Sequence, residues 1–183
     1  MNGAFDRTNG RSGDSASDFE GLARAAAIGV DRVLDRGGSD RDSGPVRQLL
    51  VFGLDRGVYA IAVERIREIV RMRAPTRLPR SPEWLLGVVA LRGEVVEIVD
   101  LRLRLGMPAA VPDRASRIIV LHGDGERSAG ILVDSVKEVL RVPESEMMPA
   151  QGLDLLSAVE VFARNGEFVS IIDPDLALGA ADD

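Results

Sequence analysis

The residues able to do chemistry are few. His122 is the only histidine among 183 residues, and there is no cysteine. A histidine-based metal site or a catalytic triad therefore lacks its second member, and thiol catalysis is excluded. The carboxylates offer more. Asp100 and Asp173 each end a run of apolar residues, where a catalytic acid could sit, and Glu64 and Glu68 lie close together. Both aspartates, however, precede short apolar segments, Leu-Arg-Leu in one case and Pro-Asp-Leu in the other. An aspartate there accepts orphan backbone N–H groups as a helix N-cap, and Pro174 suits a first helical position. Capping explains both residues at once. Gly123, Gly125 and Gly130 lack dinucleotide spacing and lead into a strand, and no GxxxxGK[ST] phosphate loop occurs. The expectation is a chain that is not an enzyme and carries no metal or cofactor.

The elements that position these residues follow from composition and periodicity. With 45% apolar residues the chain can bury a core. Its net charge of −6 argues against general nucleic-acid binding, which needs clustered cations. The first residues lack an apolar stretch behind a basic start, and the longest apolar run, Trp84 to Leu91, is far below the ~20 residues of a membrane helix. A cytoplasmic chain without membrane insertion is expected. Residues 1–46 read as a largely disordered extension. Within it, Phe19, Leu22, Ala26, Val30, Val33 and Leu34 recur at helical spacing and predict an amphipathic helix at 18–35. That helix either lies on its own domain or docks a partner.

From residue 47 to 183 the pattern becomes short apolar runs punctuated by Gly, Asp and Pro. Ten strands are predicted: 47–54, 58–63, 66–72, 86–92, 95–100, 117–122, 128–133, 136–142, 157–164 and 167–173. This is an all-β fold. The chain also repeats itself. AIAVERIREIVRM at 60–72 matches GILVDSVKEVLRV at 130–142, and GEVVEIVDLRLRLG at 93–106 matches GEFVSIIDPDLALG at 166–179. In the second match eight of fourteen positions are identical, and the two matches keep their order. A duplicated five-strand unit is predicted, the first barrel at about 47–110 and the second at about 115–180.

Three segments then carry a resemblance. LLVFGLDRGVYAIAVERIREIV (49–70), TRLPRSPEWLLGVVALRGEVVEIVDLRLRLG (76–106) and RSAGILVDSVKEVL (127–140) resemble the CheW family in order and spacing. The resemblance covers about residues 47–178. It implies two pseudo-duplicated five-stranded SH3-like barrels with short connecting helices. It further implies a stand-alone scaffold whose partners are the hairpin tip of a chemoreceptor and the regulatory domain of a CheA-type histidine kinase. Carried over residue by residue, it assigns Ile66, Glu68, Arg92, Gly130, Val136 and Val139 to a receptor-binding groove and Gly87 to the kinase-facing side. In that assignment Ile66, Val136 and Val139 form an apolar trough, and Arg92 offers a rigid set of donors to a receptor carboxylate.

The chain departs from the family pattern at Ala90, where asparagine is usual, at Glu97, where proline is usual, and in a shortened segment after Val142. These departures imply an alternative: a paralogue that binds receptor but not kinase and insulates a specialised pathway.

Overall fold

The computed structural model describes residues 44–123, 128–150 and 158–179. The helix expected at 18–35 lies outside them. Eleven strands are present: β1 (Val46–Leu54), β2 (Gly57–Ala62), β3 (Ile66–Arg71), β4 (Leu85–Leu91), β5 (Glu94–Asp100), β6 (Arg117–Leu121), β7 (Ser128–Val133), β8 (Ser135–Pro143), β9 (Met148–Pro149), β10 (Ala158–Arg164) and β11 (Glu167–Ile172). Ten match the predicted runs to within a residue or two, and the two-residue β9 is additional. Two short helices follow the last strand of each repeat, α1 (Leu101–Arg104) and α2 (Pro174–Leu178). Asp100 and Asp173 cap them: Oδ1 of Asp100 accepts from the Leu103 N–H at 3.3 Å, and Oδ1 of Asp173 accepts from the Asp175 N–H at 2.8 Å. Pro174 occupies the first turn of α2.

The strands form two sheets, ordered β8-β1-β2-β11-β10-β9 and β3-β6-β7-β5-β4. The fold is all-β with two subdomains, but the sheets do not coincide with the division into 47–110 and 115–180. Each takes the first two strands of one repeat and the remaining strands of the other: β1 and β2 join β8 to β11, and β6 and β7 join β3 to β5. The chain changes sheet at two bends, the 3-10 turn Val63–Arg65 after β2 and the Asp134 junction between β7 and β8. Strand exchange makes β11 pair with β2 and β5 pair with β7, both in parallel. The registers correspond residue for residue: Ile171 stands opposite Ala60, and its counterpart Ile98 stands opposite Gly130. A duplicated unit thus accounts for the topology as well as the sequence. Closed barrels were expected. Instead β8, β9, β3 and β4 remain edge strands among the described residues, because no ladder joins the ends of either sheet.

Exchange also explains why β1 and β6 read as unbroken apolar runs. In a strand, alternate side chains face opposite ways. Leu49 and Val51 point into a core enclosed by the first sheet, with Ala60, Leu140, Phe162, Val169 and Ile171. Ile118 and Val120 point into the equivalent core of the second sheet, with Val89, Leu91, Val96 and Ile98. The intervening residues Leu50, Phe52 and Leu54, and Ile119 and Leu121, meet in a third core between the sheets. A strand buried on both faces has no polar side to show. The helices close one end of this middle core, where Arg104 of α1 stacks on Trp84 at 4.7 Å and donates to the Ala177 carbonyl of α2 at 3.1 Å.

Candidate functional site

The residues that could receive a partner gather on β3, β8 and the β4–β5 turn. On β3 the pairing with β6 runs Ile66 to Leu121, then Glu68 to Val120, so Arg67 is an extra residue, a β-bulge. On β8 the pairing with β1 skips Lys137 in the same way. Both repeats carry the bulge at the matching position. A bulge breaks the alternation and re-aims side chains. Ile66 and Ile69, three apart, both fall opposite residues of the inter-sheet core, and so do Val136 and Val139. Ile66 and Val136 are half-buried against that core, while Ile69 and Val139 are 41% and 54% exposed. Two edge strands from different sheets therefore each carry the middle core's apolar face outward, an apolar strip on each.

The bulge turns Arg67 and Glu68 to the other face, opposite Val120. There they meet the β4–β5 hairpin. Nη2 of Arg92 lies 3.2 Å from a Glu68 oxygen, and Nη2 of Arg67 lies 3.8 Å from the other. Nη1 of Arg67 is held by Glu94 at 2.5 Å and donates to the Ser128 hydroxyl at 3.1 Å. Positive and negative groups thus alternate across β3 and the β4–β5 hairpin: Arg92, Glu68, Arg67, Glu94. Exposure differs sharply along the row. The Glu68 side chain is 19% exposed and that of Arg92 is 83% exposed.

Arg92 also sits in strained backbone. It and Gly93 form the two-residue turn of the hairpin, with φ of 51° and 88°. Such a turn needs positive φ at both residues, which asparagine and glycine tolerate and arginine does not favour. The matching turn of the second repeat is Asn165–Gly166, at 51° and 81°. The frame is the same, and only the first copy places a cation on it.

Two predicted site residues are buried, and each has a packing duty. Gly130 is buried in β7, and a Cβ there would lie 2.7 Å from Ile118 Cγ2. Gly87 is buried at a bulge in β4 with φ of 130°, and a Cβ would lie 2.1 Å from the Thr76 carbonyl oxygen. Thr76 and Val88 exchange two backbone hydrogen bonds, at 2.8 and 2.9 Å, so the chain crosses directly over Gly87. The structure therefore brings Glu68 and Arg92 together, seats Ile66 and Val136 on one core with Val139 beside it, and puts the two glycines inside. Sequence reading missed Arg67, Glu94, Ser128 and Ile69. The available signal was the three-residue apolar spacing of Ile66–Ile69 and Val136–Val139, which no regular strand produces.

Away from the strips, a second constellation ties the subdomains together. Arg102 of α1 makes a bidentate pair with Asp134, Nε to Oδ1 at 2.8 Å and Nη2 to Oδ2 at 2.5 Å. Asp134 also accepts the Asp55 N–H at 2.7 Å, and its own N–H donates to the Gly53 carbonyl at 3.2 Å. Burial works against the Asp134 carboxylate, but the Arg102 and Asp55 donors outweigh it and hold its pKa below the usual range. Asp100 shows the opposite balance, with burial pushing its pKa up despite the capped backbone N–H groups.

Comparison with known proteins agrees with this architecture. The CheW-like domain family matches residues 48–182. The chain is 32% identical over 133 residues to the chemotaxis protein CheW of Rhizobium meliloti (strain 1021), a match covering 70% of this chain and 85% of that protein. It is also 32% identical over 136 residues to the chemotaxis protein CheW of Bacillus subtilis (strain 168), covering 72% and 86%. Among solved structures it resembles the scaffolding protein TtCheW from Thermoanaerobacter tengcongensis, with a TM-score of 0.66, 26% identity, and coverage of 70% of this chain and 90% of that one. Sequence, strand order and solved relative converge, and the chain belongs to the CheW-like domain family.

Proposed function

We propose that this chain is a non-enzymatic chemotaxis adaptor, working in the cytoplasm, that couples methyl-accepting chemoreceptors to a CheA-type histidine kinase. Family membership supports the adaptor role, since relatives across most of the domain are chemotaxis proteins and one solved relative is a scaffolding protein. The observation that carries the receptor-facing part is Arg92: an exposed guanidinium held in unfavourable backbone, beside a half-buried carboxylate and near the β3 edge. Backbone strain kept at one position of a repeated frame, where the other copy relaxes it with asparagine, points to use. The apolar strips, Ile66 with Ile69 and Val136 with Val139, each fit the face of a helical hairpin, the ordinary partner of an exposed aliphatic trough. Gly87 acts on the kinase side indirectly, by keeping the Thr76–Val88 crossing that shapes the outer edge of β4. The paralogue that binds receptor without kinase is not favoured, because the family match runs through both sheets.

The test is co-sedimentation with a receptor hairpin fragment and the cognate kinase. The full chain is expected to carry kinase into the receptor pellet, and a chain that pellets with neither partner overturns the proposal.

A further inference from the structure

The Arg92–Glu68 pair raises a question of release. An arginine that turns its paired nitrogens to a partner's carboxylate loosens its hold on Glu68, and Glu68 is a half-buried carboxylate, 19% exposed. Removing the only counter-charge of such a group is costly, because the group is left desolvated and uncompensated. The structure supplies a second cation at the same carboxylate. Arg67 reaches the other Glu68 oxygen with Nη2, at 3.8 Å, while Nη1 stays fixed on Glu94 and Ser128. It is half-buried and anchored on two further strands, whereas Arg92 is almost wholly in solvent.

We propose that Arg67 is the resident counter-ion of Glu68, which frees Arg92 to pair with an acidic group on the docked partner. Arg67 is a positioning residue. Resting on the adaptor reading above, this inference adds how the receptor-facing arginine is made available.

Three independent features support it. The bulge at Arg67 exists in both repeats, so the side chain is aimed by the fold and not by a local accident. At the matching place in the second repeat stand Lys137, Glu138 and the Asn165–Gly166 turn, and no ion pair among the described residues joins them. The frame therefore folds without such a row of charges. The distances are also graded as a hand-over requires: Arg67 lies close to Glu94 and farther from Glu68, so it can tighten on Glu68 without losing its anchor.

The experiment measures affinity of the full chain for an isolated receptor hairpin fragment, with thermal unfolding as a fold control. Arg67→Ala is expected to weaken binding roughly three- to tenfold, while Arg67→Lys keeps most of it. The decisive arm is the background. With Glu68→Gln there is no charge to compensate, so adding Arg67→Ala should change affinity little relative to Glu68→Gln alone. An equal loss in both backgrounds means that Arg67 touches the partner or merely holds the fold, and overturns the hand-over. So does wild-type affinity in Arg67→Ala. Failure of the wild-type chain to bind the fragment is a different result, which sinks the adaptor reading itself.

Discussion

Arg102 and Asp134 meet side-on, two guanidinium nitrogens on two carboxylate oxygens, although one belongs to the helix after β5 and the other to the bend between β7 and β8. Because Asp134 also receives the Asp55 N–H, this pair fastens the β1–β2 turn of the first sheet to the helix and bend of the second. Asp134→Asn is expected to lower unfolding free energy at neutral pH by about 1–3 kcal/mol, since a partly buried arginine loses its charge partner. Urea unfolding of both chains measures this.

The pH dependence has a definite sign. A carboxylate whose pKa is depressed in the folded state contributes stability above its unfolded value, near ~3.9, and loses it as pH falls through the folded one. The advantage of wild type over Asp134→Asn should therefore be full at pH 6 to 7 and shrink below about pH 4. Asp100, whose pKa is raised by burial, acts the other way: it opposes folding more as pH rises through its folded value. Asp100→Asn, which keeps a capping oxygen, should cost less at pH 7 than Asp173→Ala, which forfeits about 1 kcal/mol of cap. Equal losses in the two variants would refute the assignment of burial strain to Asp100.

Arg92 should show stability and binding pulling apart. Arg92→Asn places a residue suited to positive φ in the turn and leaves Glu68 with Arg67 beside it, so unfolding free energy is expected to hold or rise, by up to ~0.5–1 kcal/mol. Receptor affinity should fall in the same variant, and Arg92→Asp should lose more than ~1 kcal/mol of binding. A chain that gains stability while keeping full affinity would show that the arginine is not a contact.

Gly87→Ala is a packing prediction. The new Cβ meets a backbone carbonyl that cannot swing aside, and φ is in the region alanine avoids. The expected loss is at least ~2 kcal/mol, together with the Thr76–Val88 bridge. Faster amide exchange at Thr76 and Val88 is the local reporter. Any defect in kinase binding by a Gly87 variant should track that local loosening.

Much of this was legible from residues alone. The apolar runs located ten strands, because strand burial is written locally in side-chain type. The self-match located the duplication and, through Asp100, Asp173 and Pro174, both helix caps. Glu68 and Arg92 were placed in one site by resemblance, and they are in contact. The exchange of strands was not legible, because pairing Ile98 with Gly130 or Ile171 with Ala60 joins residues far apart in sequence, and periodicity carries no record of partner. Arg67 was passed over for a related reason. The three-residue spacing of Ile66 and Ile69 marked an irregular strand, but only the bulge itself shows Arg67 on the same side as Glu68. The resemblance assigns Gly130 to the receptor groove and Gly87 to the kinase-facing side; that each also needs room shows only once Ile118 and the Thr76 carbonyl stand over it.

Shared strands also set an order of completion during synthesis. The sheet β3-β6-β7-β5-β4 has all its members once Val133 leaves the ribosome, whereas β1 and β2, made first, must wait for β11 to finish at Ile172 before their own sheet has its parallel neighbour. Neither repeat cut out alone retains a whole sheet. A fragment ending near residue 110 would display the doubly apolar β1 with nothing on either side of it but β2, and should aggregate, while the two repeats expressed as separate chains should rescue one another.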